Sequence, residues 1–223
     1  VVSDRTVFYN DKTRDAKSIP EFKALEPDQQ AGFSEVTLDD KFYYYTKYGS
    51  PMAYARPFDL LSALEPDKKN YFQHKKVFDF GFGGVGHLRL MALVGADVVG
   101  VEVDPLLRAL YSQPEDQGNV PASVSMGGDV SDGRLALLYG HWPKELKTEV
   151  GGDFDVIISK NVLKRGYIHP DQPVDPKMLV DLGVTDEEFV TAVAGSLKPG
   201  GVVMIYNIHP KQKEEAKDYR PWA

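Results

Sequence analysis

From Lys76 onward the apolar residues fall into short, nearly continuous runs separated by turn residues, whereas the first seventy or so positions show a weaker, mixed pattern. "KVFDF" (76–80), "DVVGVEV" (97–103), "FDVIISK" (154–160) and "VVMIYNI" (202–208) are rich in β-branched and aromatic residues and read as strands buried on both faces. "ASVSMGGD" (122–129) reads as a further strand, the third in order, with "GRLALLYG" (133–140) as a helix after it. Between the strands lie helical segments. "VGHLRLMALV" (85–94) ends at Gly95, and "LLRALYS" (106–112) is opened by Asp104 as N-cap and Pro105 in the first turn. "VTDEEFVTAVAGSLKPGG" carries a capping box (Thr185, Glu188), with Val184 placed to staple onto Phe189, and stops at Pro199-Gly200-Gly201. Strands alternating with helices predict an α/β fold: a mostly parallel, twisted sheet with helices on both faces and right-handed crossovers.

The N-terminal part predicts less. The first thirty or so residues are polar and aperiodic and read as an arm or irregular cap. "SEVTLDDKFYYY" alternates around Asp39-Asp40, which predicts a β-hairpin over about 35–46 pairing Val36 and Leu38 with Phe42 and Tyr44. Ser50-Pro51 opens a helix over about 51–64 that Pro57 should kink or restart. The expected organisation is an N-terminal arm and cap (1–74), an α/β domain (75–208) and a C-terminal tail (209–223). The start at Val1 and the polar ending suggest processing or further sequence at the ends.

Composition removes several classes of function. The 223 residues are 42% hydrophobic and 26% charged, with no apolar run long enough to span a bilayer. A net charge of -7 argues against nucleic acid or an anionic membrane as partner, because counterion release needs a concentrated basic face. The absence of cysteine rules out disulfides, thiolate nucleophiles and Cys-ligated zinc. No His/Asp/Glu set has metal-ligand spacing, so no metal is expected.

The chemistry concentrates in "VFDFGFGGVG" (77–86), where a buried strand ends in Asp79-Phe80 and Gly81, Gly83 and Gly86 follow at the G-x-G-x-x-G spacing. In open α/β sheets the ligand lies at the carboxyl ends of the strands, so this turn must face it. Glu102 ends the second strand about twenty positions on, where an acid hydrogen-bonds a ribose diol. These features suit a dinucleotide and S-adenosylmethionine (SAM) alike. Asp79 separates them. A pyrophosphate beside it would meet a like charge, costing roughly 4 kcal/mol at about 4 Å and an effective dielectric near 20. SAM has no phosphate and brings an ammonium and a sulfonium, for which the acid is attractive.

At these residues the sequence resembles the class I SAM-dependent methyltransferases. "VFDFGFGGVG" is similar to their first motif, "GADVVGVEVDP" to the second-strand motif, and "FDVIISKNVL" and "LKPGGVVMIYN" to the fourth- and fifth-strand segments. The resemblance covers about 75–208 in the family's order. It implies SAM as cofactor, held by Asp79, Phe80, Gly81, Gly83, Gly86, Glu102 and Val103, with Ser159 and Lys160 beside it. "SMGGD" resembles the segment whose acid, here Asp129, receives the adenine amino group, beside Gly128. The family continues past its fifth strand with a helix and two more strands; the N-terminal hairpin is expected to take their place, or sequence beyond Ala223.

Single residues divide between roles. Arg56, near Tyr54, could fork onto the SAM carboxylate or be a surface charge. His169 and Tyr167, in the Pro-rich loop after the fourth strand, are the candidates for a general base, although a structural role suits His169 as well. His74 and His87 read as peripheral, and His141 and Trp142 as packing groups. Methyl transfer from a sulfonium needs proximity and alignment before it needs a base. The lack of cysteine excludes a thiolate-adduct mechanism, and "SKNV" after the fourth strand is not the Asn/Asp-Pro-Pro-aromatic turn that holds a base or amide amino group. A small-molecule oxygen or nitrogen acceptor is therefore expected, in the cytoplasm where SAM is supplied. A homo-oligomer is compatible with the sequence. The rivals are an NAD(P)-dependent reductase, a SAM-binding protein without catalysis, and an aminopropyl-transferring relative.

Overall fold

The computed structural model of the chain describes residues 4–122, 131–163 and 180–207. The N-terminal segment is more regular than its polar sequence suggests. Strands β1 (Arg5–Asn10) and β2 (Asp15–Ser18) form an antiparallel hairpin, followed by short helices α1 (Ile19–Lys23) and α2 (Pro27–Gln30). Strand β3 (Ser34–Leu38) returns along the other side of β1 to give a three-stranded antiparallel sheet. The turn between β1 and β2 is closed by Asn10, whose Oδ1 accepts the N–H groups of Lys12 and Thr13. The expected irregular arm is thus a sheet. The alternation that encodes it is confined to a few inward residues, Val7, Ala16 and Ser18.

The expected hairpin over 35–46 is not formed. Asp39 is an N-cap, its Oδ1 accepting the N–H of Phe42 at 2.7 Å, and the residues after it form helix α3 (Asp40–Tyr44). Val36 pairs with Val7 of β1 instead of with Phe42 or Tyr44. A 3-10 turn (Pro51–Tyr54) then leads into helix α4 (Ala55–Ser62). The helical path restarts at Ala55, so Pro57 lies in a first turn, where its missing N–H costs nothing.

The α/β part begins with β4 (Lys76–Phe80), α5 (Gly86–Leu93), β5 (Asp97–Glu102) and α6 (Pro105–Leu110). It continues through β6 (Gly118–Val120), β7 (Gly133–Tyr139), α7 (Lys147–Val150), β8 (Phe154–Lys160), α8 (Asp186–Ser196) and β9 (Leu197–Tyr206). The six strands form one sheet in the order β6-β7-β5-β4-β8-β9, parallel throughout except for β6 against β7. The predicted caps hold. Asp104 accepts from Leu106 N at the start of α6, and Thr185 and Glu188 exchange bonds at the start of α8.

One strand is misplaced by the sequence pattern. "GRLALLYG" forms β7, not a helix, and pairs with β5 from Asp97↔Arg134 to Glu102↔Tyr139. The apolar run Leu135–Tyr139, five residues, is too short for its period to decide, and the flanking glycines favour the strand. "SMGGD", expected as the end of the third strand, falls outside the described residues apart from its position in sequence before β7. The carboxyl end of the third parallel strand is therefore Tyr139, followed by Gly140 and His141.

Side-chain alternation assigns the two faces. Val77, Val98, Val156 and Ile158 join Leu88, Met91, Leu107 and Leu110 in one core beneath α5 and α6. Phe78, Phe80, Val101 and Ile157 join Trp142, Phe154, Phe189 and Val193 in the other, beneath α8. The N-terminal strands β1 and β2 pack on α6, over the first face. They do not extend the sheet past β9, so the expectation that the hairpin replaces the family's final strands is not met; among the described residues β9 has no outer neighbour.

Candidate functional site

Strand β4 delivers the chain to the carboxyl edge of the sheet, and the turn after it is fixed by its neighbour β5. The N–H groups of Gly81 and Phe82 both donate to Val101 O, at 2.9 and 3.3 Å. Gly81 and Gly83 adopt φ of +78° and +63°, which side chains with a Cβ avoid. Space is equally short. A Cβ on Gly81 would come within 2.4 Å of Val162 Cγ2, on Gly83 within 2.9 Å of Tyr48 Cβ, and on Gly86 within 2.2 Å of Pro51 Cγ. The turn is thus roofed by two segments, residues 46–51 from the cap and Val162 after β8.

Glu102, at the end of β5, braces this turn from the side. Its Oε2 accepts from Gly83 N at 2.9 Å, and its Oε1 from Val103 N and Asp104 N at 2.8 and 3.2 Å. Burial pushes its carboxyl above the usual carboxylate range, against the pull of those three donors. Three of its roughly four lone-pair directions are used, which leaves one for a further donor.

Asp79 is fully buried, on the α5 face of β4. Its Oδ2 lies 2.7 Å from His87 Nε2, and its Oδ1 has no hydrogen-bond partner among the described residues. His87 is itself buried and lies flat on Tyr54, ring centroids 3.5 Å apart and planes 6° from parallel. It is not peripheral, as its sequence position suggests. His87 and Met91 lie one turn apart, as do Leu88 and Ala92, in the buried stripe of α5, and that spacing was the available signal. Lys160 stands on the same face, its Nζ 4.9 Å from the Tyr54 ring centroid. Burial first, and then the carboxylates of Asp79 and Glu102, push the Tyr54 phenol far above its ordinary range.

The cap segment fastens onto the same turn. Thr46 Oγ1 donates to Gly83 O, and Tyr48 donates its hydroxyl to Asp104 Oδ2 at 2.7 Å. Lys47 Nζ reaches the same oxygen at 2.6 Å. Burial opposes the charge on Asp104, but Lys47, Tyr48 and the Leu106 N–H together hold its carboxyl below the usual range.

The expected site residues thus separate. Asp79, Gly81, Gly83, Gly86, Glu102 and Val103 are brought together at one edge of the sheet. Phe80 and Ser159 point to the opposite face, into a small cavity shared with Trp142 and Phe189. Arg56 is exposed on α4 and makes no hydrogen bond or ion pair among the described residues. Gly128, Asp129, Tyr167 and His169 lie outside the described residues. Thr46 and Tyr48 were not singled out by sequence. No group of three or more metal-ligating side chains occurs among the described residues, and no described helix is long and apolar enough to cross a membrane.

No family model matches this chain, and no curated protein matches it. Among solved structures it is similar to a proposed sarcosine dimethylglycine methyltransferase from Galdieria sulphuraria (19% identity, TM-score 0.37, covering 69% of this chain and 47% of that one). It is similar to DesVI from Streptomyces venezuelae (18%, 0.39, 78% and 55%) and to a TehB-like SAM-dependent methyltransferase from Corynebacterium glutamicum (18%, 0.36, 70% and 71%). The chain spans about half the length of the first two. At these scores the likenesses establish no shared activity, and the functional reading rests on the chain's own sheet and turn.

Proposed function

We propose that this chain is a SAM-dependent methyltransferase that acts by direct in-line transfer on an oxygen or nitrogen of a small-molecule acceptor. One observation carries the reading: a fully buried carboxylate, Asp79, stands at the glycine turn with Oδ1 unpartnered among the described residues. A buried carboxylate oxygen without a donor is unfavourable, and a cationic N–H donor relieves it. The amino-acid end of SAM carries such a group. A dinucleotide would instead bring a pyrophosphate beside Asp79, Glu102 and Asp104.

The residues present fit the donor in two respects. Asp79 Oδ1 suits its ammonium, and the remaining lone-pair direction on Glu102 suits a ribose hydroxyl. When bound, SAM supplies a methyl group on a sulfonium that is already an activated leaving group. The task of the chain is then to hold donor and acceptor in line and to exclude water, worth up to roughly 7–11 kcal/mol in well-aligned systems. Tyr48, Pro51 and Val162, which roof the turn, are placed for the second of these tasks. The absence of cysteine and the net charge of -7 support a small neutral or cationic acceptor over nucleic acid.

Calorimetric titration with SAM, S-adenosylhomocysteine and NADH tests the reading. Binding of the two adenosyl compounds with no response to NADH is expected, followed by methyl transfer in an acceptor screen. NADH binding without either sulfur compound would sink it.

A further inference from the structure

The pairing of Asp79 with His87 goes beyond the glycine turn, and rests on the methyl-donor reading just given. We infer that His87 is a positioning residue for the cofactor: it holds Asp79 by one carboxylate oxygen so that the other is presented to the ammonium of the methyl donor.

Three observations converge on this. Asp79 lies in β4 between two parallel neighbours, opposite Gly100 and Ile158, so its backbone cannot turn to find donors. Its carboxylate can only rotate, and it would rotate toward whatever N–H is in reach. The His87 Nε2 at 2.7 Å fixes that rotation through Oδ2. Either the Nε2–H tautomer or the imidazolium can donate this bond. The imidazole is in turn fixed in plane by the face of Tyr54, at 3.5 Å and 6°. What remains is Oδ1, buried and without a partner among the described residues. One ring N–H satisfies one oxygen, so half of the carboxylate is oriented while Oδ1 keeps an unmet need for a donor among the described residues. The arrangement selects a ligand with a cationic N–H donor at that point, namely the α-ammonium of an S-adenosyl amino acid, over an adenosyl thioether that lacks one.

The test compares S-adenosylhomocysteine, which has the ammonium, with 5′-methylthioadenosine, which lacks the amino-acid end. Titrations use the full chain as wild type, H87F and H87Q. H87F keeps a ring on Tyr54 without the N–H; H87Q restores an N–H at about the Nε2 position. H87F is expected to weaken S-adenosylhomocysteine about tenfold or more while leaving methylthioadenosine within about twofold, and H87Q is expected to recover most of the loss. D79N should weaken S-adenosylhomocysteine similarly, with little further loss in the D79N/H87F double variant, because the two residues act as one unit. Should H87F not fold, wild-type nitrogen NMR carries the test: the His87 ring resonances should move on adding S-adenosylhomocysteine and stay in place with methylthioadenosine. Equal losses for both ligands in H87F, no loss for either, or identical NMR responses would overturn the assignment while leaving the methyl-donor reading intact. A wild-type chain that binds neither ligand overturns that reading and this assignment with it.

Discussion

Tyr48 bridges two parts of the candidate site: its hydroxyl donates to Asp104 at 2.7 Å, and its Cβ stands where a Cβ on Gly83 would come within 2.9 Å. The cap segment is therefore seated on the glycine turn and latched to the start of α6. A ligand that approaches Gly83 from this side meets Tyr48.

Breaking that latch should speed entry. Tyr48→Phe removes one hydrogen bond from an exposed tyrosine to the largely buried Asp104 carboxylate, about 1 kcal/mol. Association of S-adenosylhomocysteine, followed by stopped-flow fluorescence, is expected to be roughly fivefold faster. An unchanged or slower association rate would show that the latch does not govern entry.

Glu102→Ala removes the acceptor of three backbone N–H groups as well as the expected ribose contact. SAM affinity should fall roughly ten- to 150-fold, about 1.5–3 kcal/mol, and the thermal midpoint should drop because the turn loses its brace. Calorimetry giving wild-type affinity in a folded variant would remove Glu102 from the site.

Acid should unfold the protein through Asp104 and Asp155. Both have carboxyls held below their ordinary values against the effect of burial, Asp104 by Lys47 and Tyr48 and Asp155 by Lys198 and the Lys76 N–H. A depressed folded-state pKa gives stability that is present above the unfolded value and lost as pH falls through the folded one. The urea midpoint should therefore decline below about pH 4. Glu102 has the opposite sign: its raised carboxyl favours the folded state at low pH, and that contribution fades as pH rises through its folded pKa. Asp104→Asn, which keeps a cap but not the charge, should be less stable near neutrality and show a shallower acid decline; a slope equal to wild type would contradict the ion-pair account.

A second polar cluster holds the N-terminal sheet in place. Asp116 is fully buried and accepts from Arg5 Nη2 at 3.0 Å and Tyr43 Oη at 2.7 Å through Oδ1, and from Gln113 N at 2.8 Å through Oδ2. Arg89 Nη2 reaches Tyr43 Oη and the carbonyls of Glu115 and Asp116. Asp116→Ala leaves the largely buried Arg5 guanidinium with only the longer ion pair to Glu115 at 3.4 Å, strips Tyr43 and Gln113 of their acceptor, and should cost about 3 kcal/mol in urea unfolding. A loss below about 1 kcal/mol would mean that solvent replaces the carboxylate.

The sheet was legible where several local signals agreed. Strands β4, β5 and β8 are apolar on both faces, and α6 and α8 open on Asp104 and on Thr185 with Glu188, so periodicity and capping point the same way. Strand β7 was not, because Leu135 to Leu138 is apolar at every position and a short run of that kind suits a strand or a helix. Asp39-Asp40 misled for a related reason: an acidic pair between apolar residues serves equally as a turn or an N-cap, and only the pairing of Val36 with Val7 decides. In the candidate site, the juxtaposition of Asp79, the glycines and Glu102 could be read from their fixed spacings. The partnership of Asp79 with His87 could not, since it depends on how α5 lies on β4. Nor could Tyr48, whose contact with Gly83 spans the boundary between cap and sheet.

The bond from Thr46 to Gly83 has one more implication. The cap and the glycine turn share a joint, so trimming the first seventy-odd residues would not release an independent α/β module; it would unroof the turn and strip a backbone carbonyl of its donor.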